Sequence, residues 1–177
     1  MASIAPELRL RPPEPRDEQA MRALHEQLAP EGFHFLLFEG TWDENLSAIR
    51  REAEGTDLPA GRVRADYLVA VACGVPVGRV SIRYELNAFL HHEGGHVGYA
   101  VGPEFRGRGY ATEMLQQSLE RLAAAGVSKA LVIHNDGNSA SCAVIRACGG
   151  VFEDVRRGGD GLLKHRYWID ISSSGVR

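Results

Sequence analysis

The sequence predicts a single domain of the α/β (α+β) class. Its 177 residues suffice for one hydrophobic core, and 44% hydrophobic with 24% charged residues is typical of a globular protein. Segments with strand-like alternation and segments with helical spacing of apolar residues follow one another along the chain. At the centre, a strand-like segment leads through a glycine-rich turn into a helix. We expect residues 1–171 to form the domain and residues 172–177 to form a disordered tail.

The N-terminal half is predicted to contain three strands and two helices. The strands are expected near 8–10, 67–73 and 77–84, and the helices over 17–29 and from 42 onward. Thr41 and Glu44 have the spacing of a capping box, which places the start of the second helix, and Gly55 ends it. Between the two helices, the aromatic and aliphatic run at 33–38 either covers a site or packs in the core.

The C-terminal half is predicted to contain four strands and two helices. The strands are expected over 97–101, 129–134, 151–155 and 162–171, and the helices over 107–125 and from 138 or 139 to 148. Gly126 has the position of a C-cap for the first of these helices. A strand, a crossover helix and a strand imply a right-handed connection to a parallel neighbour.

Charge and composition exclude several function classes. The formal net charge of −3 does not favour a nucleic-acid surface, and no apolar run approaches the length of a membrane span. The N-terminus lacks the apolar core of a signal peptide. Cys73, Cys142 and Cys148 have no metal-ligand spacing, so we expect reduced thiols, no metal and a cytoplasmic location.

The glycine-rich turn has the chemistry of an anion-binding site. Gly107 and Gly109 lack a Cβ, so a ligand can lie directly on the backbone. The helix that follows begins with N–H groups that have no intrahelical partner and carry partial positive charge, which favours phosphate. Arg106 and Arg108 add guanidinium groups, whose geometry matches phosphate oxygens.

The spacing of this turn distinguishes it from two common nucleotide motifs. It is neither Gly-x-x-x-x-Gly-Lys-Ser/Thr nor Gly-x-Gly-x-x-Gly, because Thr112 stands where the third glycine would be. Arg106, Gly109 and Ala111 give Arg-x-x-Gly-x-Ala instead. This pattern resembles the acyl-CoA pyrophosphate loop of the GNAT acetyltransferase superfamily. An ATP-binding protein ranks last, because a P-loop enzyme needs an acidic metal-binding partner after a strand.

A second motif strengthens the resemblance. After the strand at 129–134, Asn138 and Ser141 match Asn-x-x-Ala/Ser, followed by an apolar helix, glycine and a strand. In the GNAT superfamily the asparagine and its helix lie along the pantetheine arm of CoA. The resemblance covers about residues 77–152, and the runs at 82–87 and 94–99 resemble a bacterial subgroup without a settled substrate.

The resemblance implies a fold, a cofactor and a reaction. The fold is a central mixed, mostly antiparallel sheet of six or seven strands flanked by about four helices, with a parallel, splayed strand pair at the cofactor site. The reaction is transfer of the acetyl group of acetyl-CoA to a small-molecule or peptide amine by direct attack on the thioester. No nucleic-acid or membrane partner is expected, and a homodimer is left open. Cofactor contacts are expected from Tyr99, Ala100, Val101, Arg106, Gly107, Arg108, Gly109, Tyr110, Ala111, Asn138 and Ser141.

The general base is chosen among ionisable residues near the central strand. A base needs hydrogen-bond or one-water reach of the amine and a pKa near the working pH. His96 is the first candidate, because the ordinary pKa of histidine suits this role. Glu93 and Glu85 come next, followed by His91 and His92.

One departure from the superfamily pattern leaves a second function open. Many members carry a tyrosine seven residues after the asparagine as general acid toward the thiolate, and this chain has Ile145 there. Either another group protonates the thiolate or none is needed. The alternative function is a catalytically silent acyl-CoA-binding sensor or regulatory domain. Arg83 and Asn87 are candidates to hold an acidic or polar acceptor.

Overall fold

One mixed sheet of seven strands runs through residues 7–172, the part of the chain that the computed structural model describes. The strands are β1 (Leu8–Arg11), β2 (Ala65–Ala72), β3 (Val75–Arg83), β4 (Val97–Val101), β5 (Lys129–Asn135), β6 (Val151–Arg157) and β7 (Leu163–Asp170). The α-helices are α1 (Glu18–Leu28), α2 (Trp42–Glu54), α3 (Tyr110–Ala124) and α4 (Ser139–Ala147). The predicted fold class is confirmed, and residues 173–177 of the predicted tail lie outside the described residues.

The sheet has the order β1-β2-β3-β4-β5-β7-β6. All neighbouring strands pair antiparallel except β4 and β5, which run parallel. The parallel pair is connected through α3, as the strand-helix-strand pattern predicted. Val97 opposite Val132 is the single register pair between β4 and β5, so the two strands separate after it. The predicted splay lies in the middle of the sheet.

Each face of the sheet is covered by its own helices. On one face, α3 buries Met114, Leu115 and Leu122 against inward residues such as Val80. On the other face, α1 and α2 pack against Tyr67, Val69 and Ala100. Fully burying a leucine side chain contributes roughly 1.5–3 kcal/mol, so these helices are fixed mainly by packing. The sheet and its splay are thereby held rigidly between two layers.

Local sequence signals account for most element boundaries. The capping box at α2 is confirmed, because Glu44 donates its N–H to Thr41 Oγ1 and Thr41 donates its N–H to Glu44 Oε2. Gly55 ends the helix in a left-handed conformation, with φ of 72°. The predicted start of β3 is two residues late, because the tight turn lies at Cys73 and Gly74, both with positive φ. No helix within residues 7–172 is long and apolar enough to cross a membrane.

Candidate active site

The separation of β4 from β5 opens a cleft in the sheet. At its closed end, His96 donates its backbone N–H to Leu131 O (2.7 Å), and its side-chain Nδ1 accepts the N–H of Leu131 (2.9 Å). Beyond Val97 the two strands no longer pair. The resulting cavity has a volume of about 880 Å³, within the range of small-molecule sites. Its walls come from β4, the starts of α3 and α4, and the segment after α1.

The open edge of β4 presents backbone groups to this cleft. On the β3 side, Gly102 donates its N–H to Val77 O (2.8 Å). Alternate residues of a strand direct their backbone groups to opposite neighbours, so Tyr99 and Val101 direct theirs toward β5. Val101 O accordingly accepts Nε of Arg106 (3.2 Å), and Ala100 pairs with Arg79 in β3. The edge therefore offers N–H groups where β5 has moved away.

The turn before α3 leaves a run of backbone donors free. Within residues 7–172, the N–H groups of residues 107–112 have no protein acceptor, and the first bonded one is Glu113, to Gly109 O (3.1 Å). All residues of this run except Arg108 line the cavity. Aligned N–H groups at a helix N-terminus bind phosphate through hydrogen bonds and the helix dipole. This arrangement fits the diphosphate of a CoA molecule.

Gly107 and Gly109 make this turn sterically feasible. Their φ angles are 74° and 82°, a region that side chains with a Cβ rarely adopt. Apart from the adjoining residues, no atom of residues 7–172 lies within 4 Å of a Cβ placed at either position, so the space beside the backbone is open. The positive φ also explains why α3 begins at Tyr110; the predicted start at Gly107 is wrong. Tyr110 is buried in the core while lining the cavity.

The two arginines of the turn are engaged with the protein. Arg106 makes a bidentate ion pair with Glu31 (3.0 and 2.8 Å), and this pair lowers the pKa of the Glu31 carboxyl. It thereby joins the turn to the segment after α1. Arg108 donates to Glu104 O (3.1 Å), stacks over Phe105, and does not line the cavity. The Glu31 partner, 75 positions away, could not be predicted from residue spacing.

Asn138 stands at the start of α4, opposite the turn. Its Oδ1 accepts the N–H of Ser141 (3.0 Å), which caps the helix. Its side chain is exposed and lines the cavity, and its Nδ2 donates to no group within residues 7–172. The cap and a ligand contact are therefore compatible. Ile145, where many superfamily members carry tyrosine, is fully buried in the core.

A pair of hydroxyl groups bridges the cleft. Tyr99 of β4 and Ser141 of α4 lie with their oxygens 2.8 Å apart, and both line the cavity. Burial raises the pKa of Tyr99 to about 12, so the phenol stays protonated at neutral pH. The sequence indicated each residue separately as a cofactor contact but gave no signal for their pairing. This pair supplies the cavity with hydroxyl groups that can donate hydrogen bonds, which the side chain of Ile145 cannot do.

Comparison with known proteins identifies the family. The model of the acetyltransferase (GNAT) domain matches residues 7–151, most of the chain. The chain belongs to the GNAT acetyltransferase family. It is therefore an acyltransferase of the GNAT type, and the predicted resemblance is confirmed. No protein with curated annotation matches the sequence at a significant level.

Solved structures share the fold of this GNAT protein at low sequence identity. RimJ of Mycobacterium smegmatis, in complex with CoA-disulfide, is 21% identical, with a TM-score of 0.72 over 98% of this chain and 86% of that chain. YncA of Salmonella typhimurium, with acetyl-CoA, is 15% identical, with a TM-score of 0.65 over 96% of both chains. A chimera of the spermidine N-acetyltransferase SpeG of Vibrio cholerae with hSSAT is 19% identical, with a TM-score of 0.67 over 96% and 99% of the two chains.

His96 lies inside the sheet of this GNAT protein. Its side chain is 5% exposed, and Nδ1 is occupied by the N–H of Leu131. Burial, helped by the positive charge of Arg83, lowers the pKa of His96 from 6.5 to about 4. The imidazole is thus neutral at pH 7 and replaces a backbone acceptor between the parting strands. These contacts favour a positioning role for His96 over the role of general base.

The other candidate bases lie in the connection between β3 and β4, which contains a helical turn at Leu90–Gly94. Both carboxylate oxygens of Glu93 accept the N–H of Gly159 (3.1 Å each), which ties that turn to the loop after β6. Glu85 is exposed, and His92 Nε2 lies 3.0 Å from Arg157 O. None of these residues, nor His91 or His96, is among the residues of 7–172 that line the cavity. The structure therefore places the candidate bases away from the walls of this cavity.

Proposed function

We propose that this protein transfers the acetyl group of acetyl-CoA to an amine by direct attack of the amine on the thioester. The observation that carries the proposal is the run of unbonded N–H groups at residues 107–112, at the mouth of the cleft between β4 and β5. Acetyl-CoA supplies a diphosphate for that run and an acyl thioester whose carbonyl carbon accepts the amine. The residues of the protein bind acetyl-CoA, orient its thioester toward the amine and polarise the thioester carbonyl.

Binding follows from the walls of the cleft. The N–H groups of residues 107–112 hold the diphosphate, and Nδ2 of Asn138 donates to an amide of the pantetheine arm. The free edge of β4 pairs with the same arm as an added strand would. Arg106 stabilises the turn through Glu31 and adds positive charge near the diphosphate.

Polarisation and release of the leaving group depend on Tyr99, Val101 and Ser141. A backbone N–H of Tyr99 or Val101 donates to the thioester oxygen, which gains negative charge as the amine nitrogen bonds to the carbonyl carbon. When the carbon–sulfur bond breaks, the Tyr99–Ser141 hydroxyl pair donates a hydrogen bond to the sulfur. The thiolate then takes a proton through that pair or from solvent, since thiols have a pKa near 8.5.

The remaining proton leaves the amine. Because His96 is buried and engaged, and Glu93 is bound to Gly159, we propose that the amine arrives deprotonated. The protein then contributes position, and holding the two reactants in contact supplies much of the acceleration. Water that reaches the cleft accepts the proton after attack. We further propose a cytoplasmic location, which suits three free cysteines.

The test is release of the CoA thiol from acetyl-CoA, measured against a panel of amines at pH 8. The proposal predicts amine-dependent release, with a matching acetylated amine detected by mass spectrometry. Gly109→Val is the matched negative control, because it blocks the donor site outside the core. Binding of acetyl-CoA without release of the thiol for any amine would contradict the proposal and support the silent sensor.

A further inference from the structure

Two arginines lie on one face of the central strands. Arg79 and Arg83 of β3 point to the same side, because residues an even number of positions apart in a strand share a face. In the pairing with β4, Arg79 lies opposite Ala100, and Arg83 donates its backbone N–H to His96 O (2.7 Å). This face is the one covered by α1 and α2, away from α3. It adjoins the cleft at Phe33 and Ala100, which line the cavity.

Arg79 is buried, and its guanidinium is held by backbone carbonyls and a hydroxyl group. Its guanidinium donates to His34 O (2.7 Å), Phe35 O (3.1 Å) and Ser81 Oγ (3.1 Å). Its charge lies over aromatic rings, with Phe33 at 4.6 Å. No carboxylate within residues 7–172 forms an ion pair with it, and burial lowers its pKa. A guanidinium nevertheless stays protonated in proteins, so this charge is uncompensated.

Among residues 7–172, Arg83 likewise forms no ion pair, and part of its guanidinium has no acceptor. Nη1 donates to Gly94 O (3.2 Å) and Gly95 O (3.4 Å), whereas Nε and Nη2 have no acceptor in the described part of the chain. A Cβ at Gly98 would lie 3.5 and 3.7 Å from Nη1 and Nη2. Gly98 is partly exposed although it belongs to a central strand. The guanidinium therefore lies over β4 beside an opening in the covering layer.

The surrounding charges do not neutralise the two arginines. Glu52 is a carboxylate whose charge acts on Arg83, and it is already paired with Arg62 (2.6 Å). His96 is neutral, and burial raises the pKa of Tyr67 to about 12. The residues around Gly98 thus carry excess positive charge. Such a surface attracts anions and repels polycations.

We propose that Arg83 binds a carboxylate of the acceptor, so that the substrate class is a primary amine that carries a carboxylate. This inference rests on the proposed acetyl transfer. Guanidinium and carboxylate match in geometry, and Nε with Nη2 forms a free edge for two hydrogen bonds. Gly98 precedes Tyr99 and Val101 by one and three residues, or roughly 3–10 Å along the strand. An amine and a carboxylate separated by a few bonds span that distance.

The test compares amino acids with their carboxamides, which differ in the charge of one group. We expect wild-type protein to favour the carboxylates at least tenfold in kcat/KM and to reject spermidine. Arg83→Gln should abolish the preference through KM, with unchanged affinity for acetyl-CoA, and Arg83→Lys should retain part of it. Arg9→Gln, at an exposed arginine of the edge strand β1, is the matched control and should leave the preference unchanged.

Binding provides a second readout that does not depend on turnover. The CoA-loaded protein should bind N-acetyl amino acids at least tenfold more tightly than their carboxamides, and Arg83→Gln should remove the difference. If carboxamides or spermidine bind and react as well as the carboxylates or better, the inference about Arg83 is overturned while acetyl transfer stays intact. Absence of acetyl-CoA binding would overturn the proposed function and this inference together. Melting temperatures of all variants show whether a loss reflects unfolding.

Discussion

His96 holds the point at which β4 and β5 part, and its replacement tests that positioning role. His96→Ala removes the acceptor of the buried Leu131 N–H (2.9 Å). An unsatisfied buried donor costs about 1–3 kcal/mol, and the lost ring adds a cavity, for a total of roughly 2–4 kcal/mol. For a chain of this size, the melting temperature should fall by roughly 4–15 °C. His96→Asn is the matched control, because Oδ1 can accept the same N–H; it should cost roughly 1 kcal/mol.

The pH dependence of the free energy of unfolding gives an independent check. The pKa of His96 is about 4 in the folded state against 6.5 in the unfolded chain, so the unfolded chain binds the proton more readily. The stabilisation is complete above pH 6.5 and is lost as the pH falls toward 4, by roughly 3 kcal/mol in all. In His96→Asn this part of the acid destabilisation should be missing. Urea titrations between pH 4 and 8 measure it.

A general base would behave differently. In that case His96→Asn should lower turnover by roughly a hundredfold or more, with unchanged melting temperature and unchanged affinity for acetyl-CoA. The wild-type pH–rate profile would then contain a pKa that disappears in the variant. That combination would refute the positioning role. The structure predicts instead that the profile follows the pKa of the acceptor amine in both proteins.

Three further predictions concern the cleft. Asn138→Asp keeps the helix cap but loses the Nδ2 donor, so calorimetry should show a several-fold loss of acetyl-CoA affinity with an unchanged melting temperature. An unchanged affinity with a lower melting temperature would assign the residue to the cap alone. Tyr99→Phe should lower turnover roughly tenfold or more at every pH from 6 to 10, without a change in the affinity for acetyl-CoA. Ser141→Ala should lower turnover less. If both variants turn over at the wild-type rate, the hydroxyl pair has no part in the reaction. Arg106→Gln and Glu31→Gln should each lower the free energy of unfolding by less than about 1 kcal/mol. In acetyl-CoA titrations at low and high salt, only Arg106→Gln should bind the cofactor more weakly than wild type.

The sequence predicted the features that depend on local chemistry. The capping box at Thr41, the ends of helices at Gly55 and Gly126, and the strand-turn-helix around Gly109 are set by residues within a few positions of one another. The parallel pair followed from the crossover helix between its strands. Fold class and the donor turn could therefore be predicted before any coordinates.

Side-chain partnerships across the fold could not be predicted in the same way. His96 has the residue type of a base, but its burial and low pKa arise where the chain crosses Leu131, 35 positions later. Glu93 is bound by Gly159, 66 positions away. Residue type and spacing carry no information about such contacts, because tertiary packing determines them. The predicted role of the candidate bases therefore agrees less well with the structure than the predicted glycine-rich turn does.

We propose that acetyl-CoA binds in the cleft between β4 and β5 through the turn at residues 107–112. The most direct measurement is the melting temperature of wild type and Gly109→Val with and without 1 mM acetyl-CoA. At a ligand concentration about 100 times Kd, binding stabilises the native state by roughly 2.7 kcal/mol, so the wild-type melting temperature should rise by roughly 5–11 °C. Gly109→Val, whose Cβ would require a φ near 82° and fill the open donor site, should show no rise. An unchanged wild-type melting temperature, or an equal rise in both proteins, would contradict acetyl-CoA binding at this turn.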